Sequence, residues 1–128
     1  MSQGKIAVHS EKAPAPVGPY NQAVWGGNTL YLSGQIPLTK EGDLVDNSVE
    51  EATEKVMENI GYILEEAGLG YEHLIKCTIL LQNIEDFPRV NEVYGKYFEN
   101  IVHAREAYQV GALPKGSPIE ITAIAYKE

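Results

Sequence analysis

A single cysteine, Cys77, stands in a chain of 128 residues, which excludes an intrachain disulfide and any zinc or iron–sulfur cluster held by several thiolates of one subunit. Such a chain suits a reducing compartment. Basic residues are also scarce. Lys and Arg number 10 against 18 Asp and Glu, a formal net charge of -8, so general attraction to nucleic-acid phosphates or anionic membrane surfaces is disfavoured. A locally positive pocket around one or two arginines is still allowed. No segment approaches the roughly 20 apolar residues of a membrane span, and the opening MSQGKIAVHSEKAPAP lacks the apolar stretch of a secretory signal. A cytoplasmic protein is expected. His9, His73 and His103 lie far apart, without the two-histidine spacing of a helical metal site, and there is neither a GxxxxGK[ST] loop nor a GxGxxG fingerprint. No metal and no cofactor are therefore expected.

What the chain does have is a hydrophobic content of 44%, enough for a real core, in a length that fits one domain over residues 1–128. The segment Ala13-Pro14-Ala15-Pro16, followed by Val17-Gly18-Pro19-Tyr20, reads as extended and stiff. Strands over 21–25 and 29–33 flank Gly26-Gly27-Asn28, a run that can supply the positive φ of a tight hairpin. In Ser33-Gly34-Gln35-Ile36-Pro37 the glycine permits close approach and the proline ends ladder pairing. Ser48 with Glu51 makes a capping box and Gly68 a C-terminal stop, predicting a helix over 48–67 with Val49, Ala52, Val56, Ile60, Ile63 and Leu64 on one face.

The short apolar run 74–81 predicts a buried strand that contains Cys77, as a packed thiol and not a nucleophile. A second helix is expected over 85–98, from the spacing of Phe87, Val90, Val93, Tyr94 and Tyr97 with Pro88 in the first turn. Two last strands, about 105–110 and 119–126, are separated by Leu113-Pro114-Lys115-Gly116. The order strand, strand, helix, strand, helix, strand, strand implies a sheet with both helices on one side. Apolar side chains at both parities of 74–81 then leave the other face in need of cover, which points to self-association.

Arg105 and Glu120 are the candidate chemical pair, since a guanidinium offers a planar fork to a carboxylate and a glutamate can hold or deprotonate water. Alone, the pair is weak evidence: Arg105 reads more readily as a surface residue in a loose ion pair and Glu120 as a solvated strand residue. Tyr20 after a rigid Gly-Pro and Ser33 at a strand end can each place a hydroxyl in a cleft, although turn chemistry explains both. Asn91 can stand at a pocket wall or be an exposed helix residue.

Taken together, Gly18-Pro19-Tyr20, Ser33-Gly34-Gln35-Ile36-Pro37, Val90-Asn91-Glu92-Val93-Tyr94, Ala104-Arg105, Leu113-Pro114-Lys115 and Ile119-Glu120-Ile121 resemble motifs of the Rid (YjgF) family in order and spacing. The likeness runs from about Val17 to Tyr126. It implies a chorismate mutase-like α/β (α+β) domain, a mostly antiparallel, mixed sheet of about six strands with two helices on one face. It further implies a homotrimer joined through the other sheet face, with three clefts between neighbouring subunits.

Carried over residue by residue, the resemblance makes Arg105 the clamp for a substrate carboxylate and Glu120 the acid that positions water, with Tyr20, Ser33, Gly34, Asn91 and Ala107 lining the cleft. The implied activity is hydrolytic deamination of 2-imino acids to 2-keto acids, with no cofactor. A non-catalytic trimer that senses small carboxylates, and an endoribonuclease, are the competing readings, the acidic surface opposing the last. Where the family commonly has Arg-Ser-Cys-Val-Glu-Val, this chain has Arg105-Glu106-Ala107-Tyr108-Gln109-Val110, and His103 stands where proline is common. Ala107 preserves a contact made by backbone atoms and weakens one made by a thiol. Strand alternation is expected to turn Glu106 to the face opposite Arg105.

Overall fold

The computed structural model describes residues 4–128, and in it Ser48 starts helix α1 (Val49–Glu66) as its sequence suggests. The Ser48 hydroxyl accepts the Glu51 backbone N–H at 3.1 Å, satisfying one of the donors a helix start leaves unpaired. At the other end Gly68 takes φ +79°, and Leu69 N–H bonds back to the Leu64 carbonyl at 2.8 Å. Only glycine accepts that backbone without strain. One stripe of α1, with Ala52, Val56, Ile60, Ile63 and Leu64, is fully buried. Asn59 shares that buried face because its amide donates to the Leu38 carbonyl at 2.9 Å.

The hairpin forms as expected, from β2 (Ala23–Gly26) and β3 (Thr29–Gln35), with Gly27 at φ +60° in the turn. A strand that sequence reasoning missed precedes it. In β1 (Lys5–Val8) only Val8 is buried, so the segment carries no alternation to betray it, yet it pairs antiparallel with β2 from Lys5–Gly26 to Val8–Ala23. After α1 and a 3-10 turn at Tyr71–His73 comes β4 (Leu74–Leu81), where Cys77, Ile79 and Leu81 are fully buried.

The second helix is shorter than its periodicity predicts. A 3-10 turn over Ile84–Asp86 leads into α2 (Phe87–Gly95), and the chain leaves helical pairing at Gly95 and not at Phe98. Glycine weakens helix propagation, and the aromatic residues beyond it gain more from packing than from another turn. The Tyr97 ring centroid lies 5.2 Å from that of Tyr71, and Phe98 lies 5.0 Å from Tyr94. Strands β5 (Ala104–Gln109) and β6 (Ile119–Tyr126) complete one sheet, in the order β1-β2-β3-β6-β4-β5. Every pairing is antiparallel except β4 with β5, so the sheet is mixed, α2 makes the crossover, and β5 is an edge.

Residues directly opposite in neighbouring strands share a face. Arg105 pairs with Cys77, and Cys77 with Ala123, which places all three on the face that α1 and α2 cover. Tyr108 pairs with Leu80, and Leu80 with Glu120, which places those three on the open face. That open face also presents Tyr31 and Tyr126, 54% and 43% exposed. Glu106 lies on it too, opposite to Arg105 as alternation requires. Its carboxylate accepts from the Tyr108 and Thr78 hydroxyls, each at 3.1 Å, and sits 3.3 Å from the Lys76 ammonium, which together hold it below the usual carboxylate range. Among the described residues, no helix is long and apolar enough to cross a membrane.

Candidate functional site

Two cavities divide most of the expected site residues between them. The first, about 220 Å³, lies where the end of β3 meets the proline-rich segment, and Glu120, Gly34, Tyr20, Pro114 and residues 14–17 line it. Its wall is rigid for a reason that sequence reasoning missed. Buried Gln22 donates its amide to the Ser10 and Pro14 carbonyls at 3.2 and 3.0 Å, and its oxygen accepts from the Ser10 N–H at 2.6 Å. A glutamine directly after strand-breaking residues was the available signal.

Gly34 sits in a bulge of the β3–β6 ladder, and a Cβ there would lie 2.1 Å from the Glu120 Oε2 atom. The glycine is required by the carboxylate, not by backbone conformation. Among the described residues, no hydrogen bond or ion pair serves the Glu120 carboxylate, and its partial burial pushes its pKa up. Lys115, at φ +58° between Pro114 and Gly116, gives the opposite rim its tight left-handed turn. Ser33 stands beside the cavity without lining it, its hydroxyl donating to the Asn21 carbonyl at 2.6 Å.

The second cavity, about 440 Å³, is walled by α2 and the start of β5 and contains Asn91 and Arg105. The guanidinium donates to the Asn91 Oδ1 at 2.8 Å and lies over the rings of Phe87 and Tyr94, 5.0 and 5.2 Å from their centroids. These contacts aim an exposed cation without neutralising it. Among the described residues no carboxylate pairs with Arg105. His103 shares this cavity, its Nε2 atom 2.7 Å from the Tyr94 hydroxyl and its ring stacked on Phe98 at 4.3 Å. Burial, then the charge of Arg105, lowers its pKa.

Within one chain, therefore, Arg105 and Glu120 are not brought together. They occupy separate cavities on opposite faces of the sheet. Ala107 lines neither cavity. It is half-buried against the core, opposite Ile79. Cys77 is buried, as expected of a packed thiol, and desolvation raises its pKa more than the Tyr94 hydroxyl and Arg105 lower it. Among the described residues no group of three or more His, Cys, Asp or Glu side chains could hold a metal ion.

Comparison with known proteins places this architecture. The family described as endoribonuclease L-PSP matches residues 10–127. The human 2-iminobutanoate/2-iminopropanoate deaminase is 47% identical over 92% of this chain and 87% of its own length. A putative endoribonuclease of Thermotoga maritima superposes with a TM-score of 0.93 at 46% identity, covering 97% of this chain and 98% of the other. TdcF of E. coli, solved with bound serine, superposes with a TM-score of 0.92 at 34% identity, covering 97% and 100%. Six strands in a mixed sheet, two helices over one face and a matching sequence along nearly the whole length lead to one conclusion: the chain belongs to the Rid (YjgF) family.

Proposed function

We propose that this protein is an enamine/imine deaminase, a hydrolase that converts 2-imino acids to 2-keto acids and ammonia in clefts completed between neighbouring copies of a homotrimer. The observation that carries the proposal is the pair of uncompensated charges on opposite faces of one sheet. Among the described residues the guanidinium meets an amide and two rings but no carboxylate, the half-buried carboxylate meets no cation, and each is what the other lacks. An association that covers the open tyrosine-rich face can bring the Arg105 cavity of one copy against the Glu120 cavity of the next. Deaminase names among relatives of similar length support the same chemistry.

In that cleft Arg105, steadied by Asn91, binds the substrate carboxylate with two parallel N–H donors. The Glu120 carboxylate accepts a proton from a water as the water oxygen bonds to the imine carbon. The proton then passes to the nitrogen, and the hydroxyl proton of the tetrahedral intermediate follows it by way of the same carboxylate. The C–N bond breaks to release ammonia as the C–O bond becomes C=O. Water supplies the oxygen and both hydrogens, so no oxidant or cofactor is required. Partial burial of Glu120 strengthens it as a base, which general-base catalysis at neutral pH needs. Imines already hydrolyse in water, so modest acceleration suffices, about 1.4 kcal/mol for each factor of ten.

The solved relative with bound serine favours a second reading, a trimer that binds small carboxylates without turning them over. One experiment separates the two. A threonine dehydratase is coupled to this protein and release of 2-ketobutyrate is followed. Acceleration that falls about 100-fold or more in Arg105→Ala and in Glu120→Ala is the expected result. No acceleration by the intact protein, with saturable binding of 2-ketobutyrate, replaces the enzyme with the binding protein.

A further inference from the structure

Tyr94 is gripped from two sides by groups that can both be positive. Arg105 lies 5.2 Å from the Tyr94 ring centroid, and the His103 ring lies 5.8 Å from the same centroid with its Nε2 atom on the tyrosine hydroxyl. Both side chains open onto one cavity, and the imidazole is held in place by stacking on Phe98 at 4.3 Å and by the Tyr94 hydroxyl. We infer that His103 is a positioning residue for the carboxylate clamp, its protonation coupled to occupation of Arg105 by a carboxylate.

The inference rests on the clamp proposed above. An empty site holds a bare guanidinium near His103, and a second positive charge on the imidazole is then repelled. A carboxylate on Arg105 cancels that repulsion and adds attraction, so the imidazolium becomes the favoured form. Linkage makes the effect reciprocal, and protonating His103 must tighten the carboxylate by the same factor. The Tyr94 hydroxyl lets this happen without movement, because it can donate to neutral Nε2 or accept from the protonated ring. The charged and titratable groups that face His103 are Tyr94 on α2 and Arg105 on β5, with the Cys77 thiol of β4 beyond the tyrosine hydroxyl. None of these is an acid that would hold the imidazolium in the empty site.

The test uses the intact protein and 2-ketobutyrate, which stays ionised throughout the range examined. Histidine ring protons are titrated by NMR with and without the ligand, and the His103 signal is identified by its loss in His103→Gln. A His103 pKa that rises on saturation is expected. So is a ligand Kd that tightens about fivefold from pH 8 to pH 5.5, the low end of typical coupling for a partly exposed pair. Glu120 also titrates, so the Kd series is run in Glu120→Gln, where His103→Gln must flatten the remaining pH dependence. Saturable binding with an unmoved His103 pKa, or an unchanged pH slope in the double variant, overturns the coupling and leaves the clamp intact. No binding of 2-ketobutyrate by the intact protein overturns both.

Discussion

The two half-sites of this molecule are built by opposite means. Around Glu120 the chain removes bulk: a glycine leaves room for the carboxylate, prolines stiffen the wall, and a buried glutamine ties the wall to the sheet. Around Arg105 it adds bulk, with Phe87, Tyr94, Phe98 and His103 crowding the cation and each other. The acid is set by backbone approach and the cation by aromatic surfaces. The difference teaches that neither half is an ion pair kept for stability, since among the described residues neither charge meets an opposite charge within the chain.

The largest break in that comparison comes from putting bulk where it has been removed. In Gly34→Ala the new methyl must displace the Glu120 side chain, and kcat/KM should fall about 100-fold, as expected for a misplaced catalytic group. Thermal unfolding should move little, because Gly34 has no positive φ to lose and the atom it meets is the tip of a side chain. Unchanged turnover in Gly34→Ala would show that Glu120 need not stand where it does.

Next in size is the restoration expected from mixing. Arg105→Ala and Glu120→Gln proteins, each nearly inactive, are unfolded and refolded together. If every cleft takes its arginine from one subunit and its glutamate from the next, random assembly makes about a quarter of the clefts intact. Activity should rise to about a quarter of the unsubstituted protein. Refolded mixtures that stay inactive would mean that both residues act within one chain or that no shared cleft exists.

The two half-sites were not equally legible in the sequence, and the reason is physical. Helix α1, the hairpin and strands β4 and β6 were written in local signals: a cap, a turn glycine, a period of apolar residues. Strand β1 had none of these, because it is short and its neighbours in space decide its pairing. Tyr20, Gly34 and Glu120 share a cavity, and Arg105 with Asn91 share another. That the two sets face opposite ways required the register across three strands, which no local pattern contains. The place of His103 and Phe98 was hidden for a related reason. Apolar periodicity alone carries a helix past Gly95, whereas the chain turns there and delivers both rings to the Arg105 wall.

A smaller effect distinguishes the halves by stability. Burial raises the Glu120 pKa in the folded chain above its unfolded value. Where the carboxylate is ionised in both states, folding bears the cost of desolvating it. Glu120→Gln should therefore stabilise the protein there, by less than about 1 kcal/mol, because water still reaches the group. As pH falls through the raised folded value toward the ordinary carboxylate range, the folded acid takes up its proton first and this advantage disappears. Melting temperatures of both proteins across that range provide the check, and a glutamine variant less stable at neutral pH would contradict the desolvated carboxylate.

The smallest effect belongs to the cation's half. Asn91 accepts a hydrogen bond from Arg105 at 2.8 Å at the protein surface, where water can replace it. Phe87 and Tyr94 continue to hold the guanidinium in Asn91→Ala, so orientation is loosened and charge is untouched. KM should rise about threefold with kcat nearly unchanged, the signature of weaker binding in ground and transition states alike. A fall in kcat at constant KM would instead make Asn91 a partner of the reacting atoms, and the aromatic rings would no longer be enough to account for where the cation points.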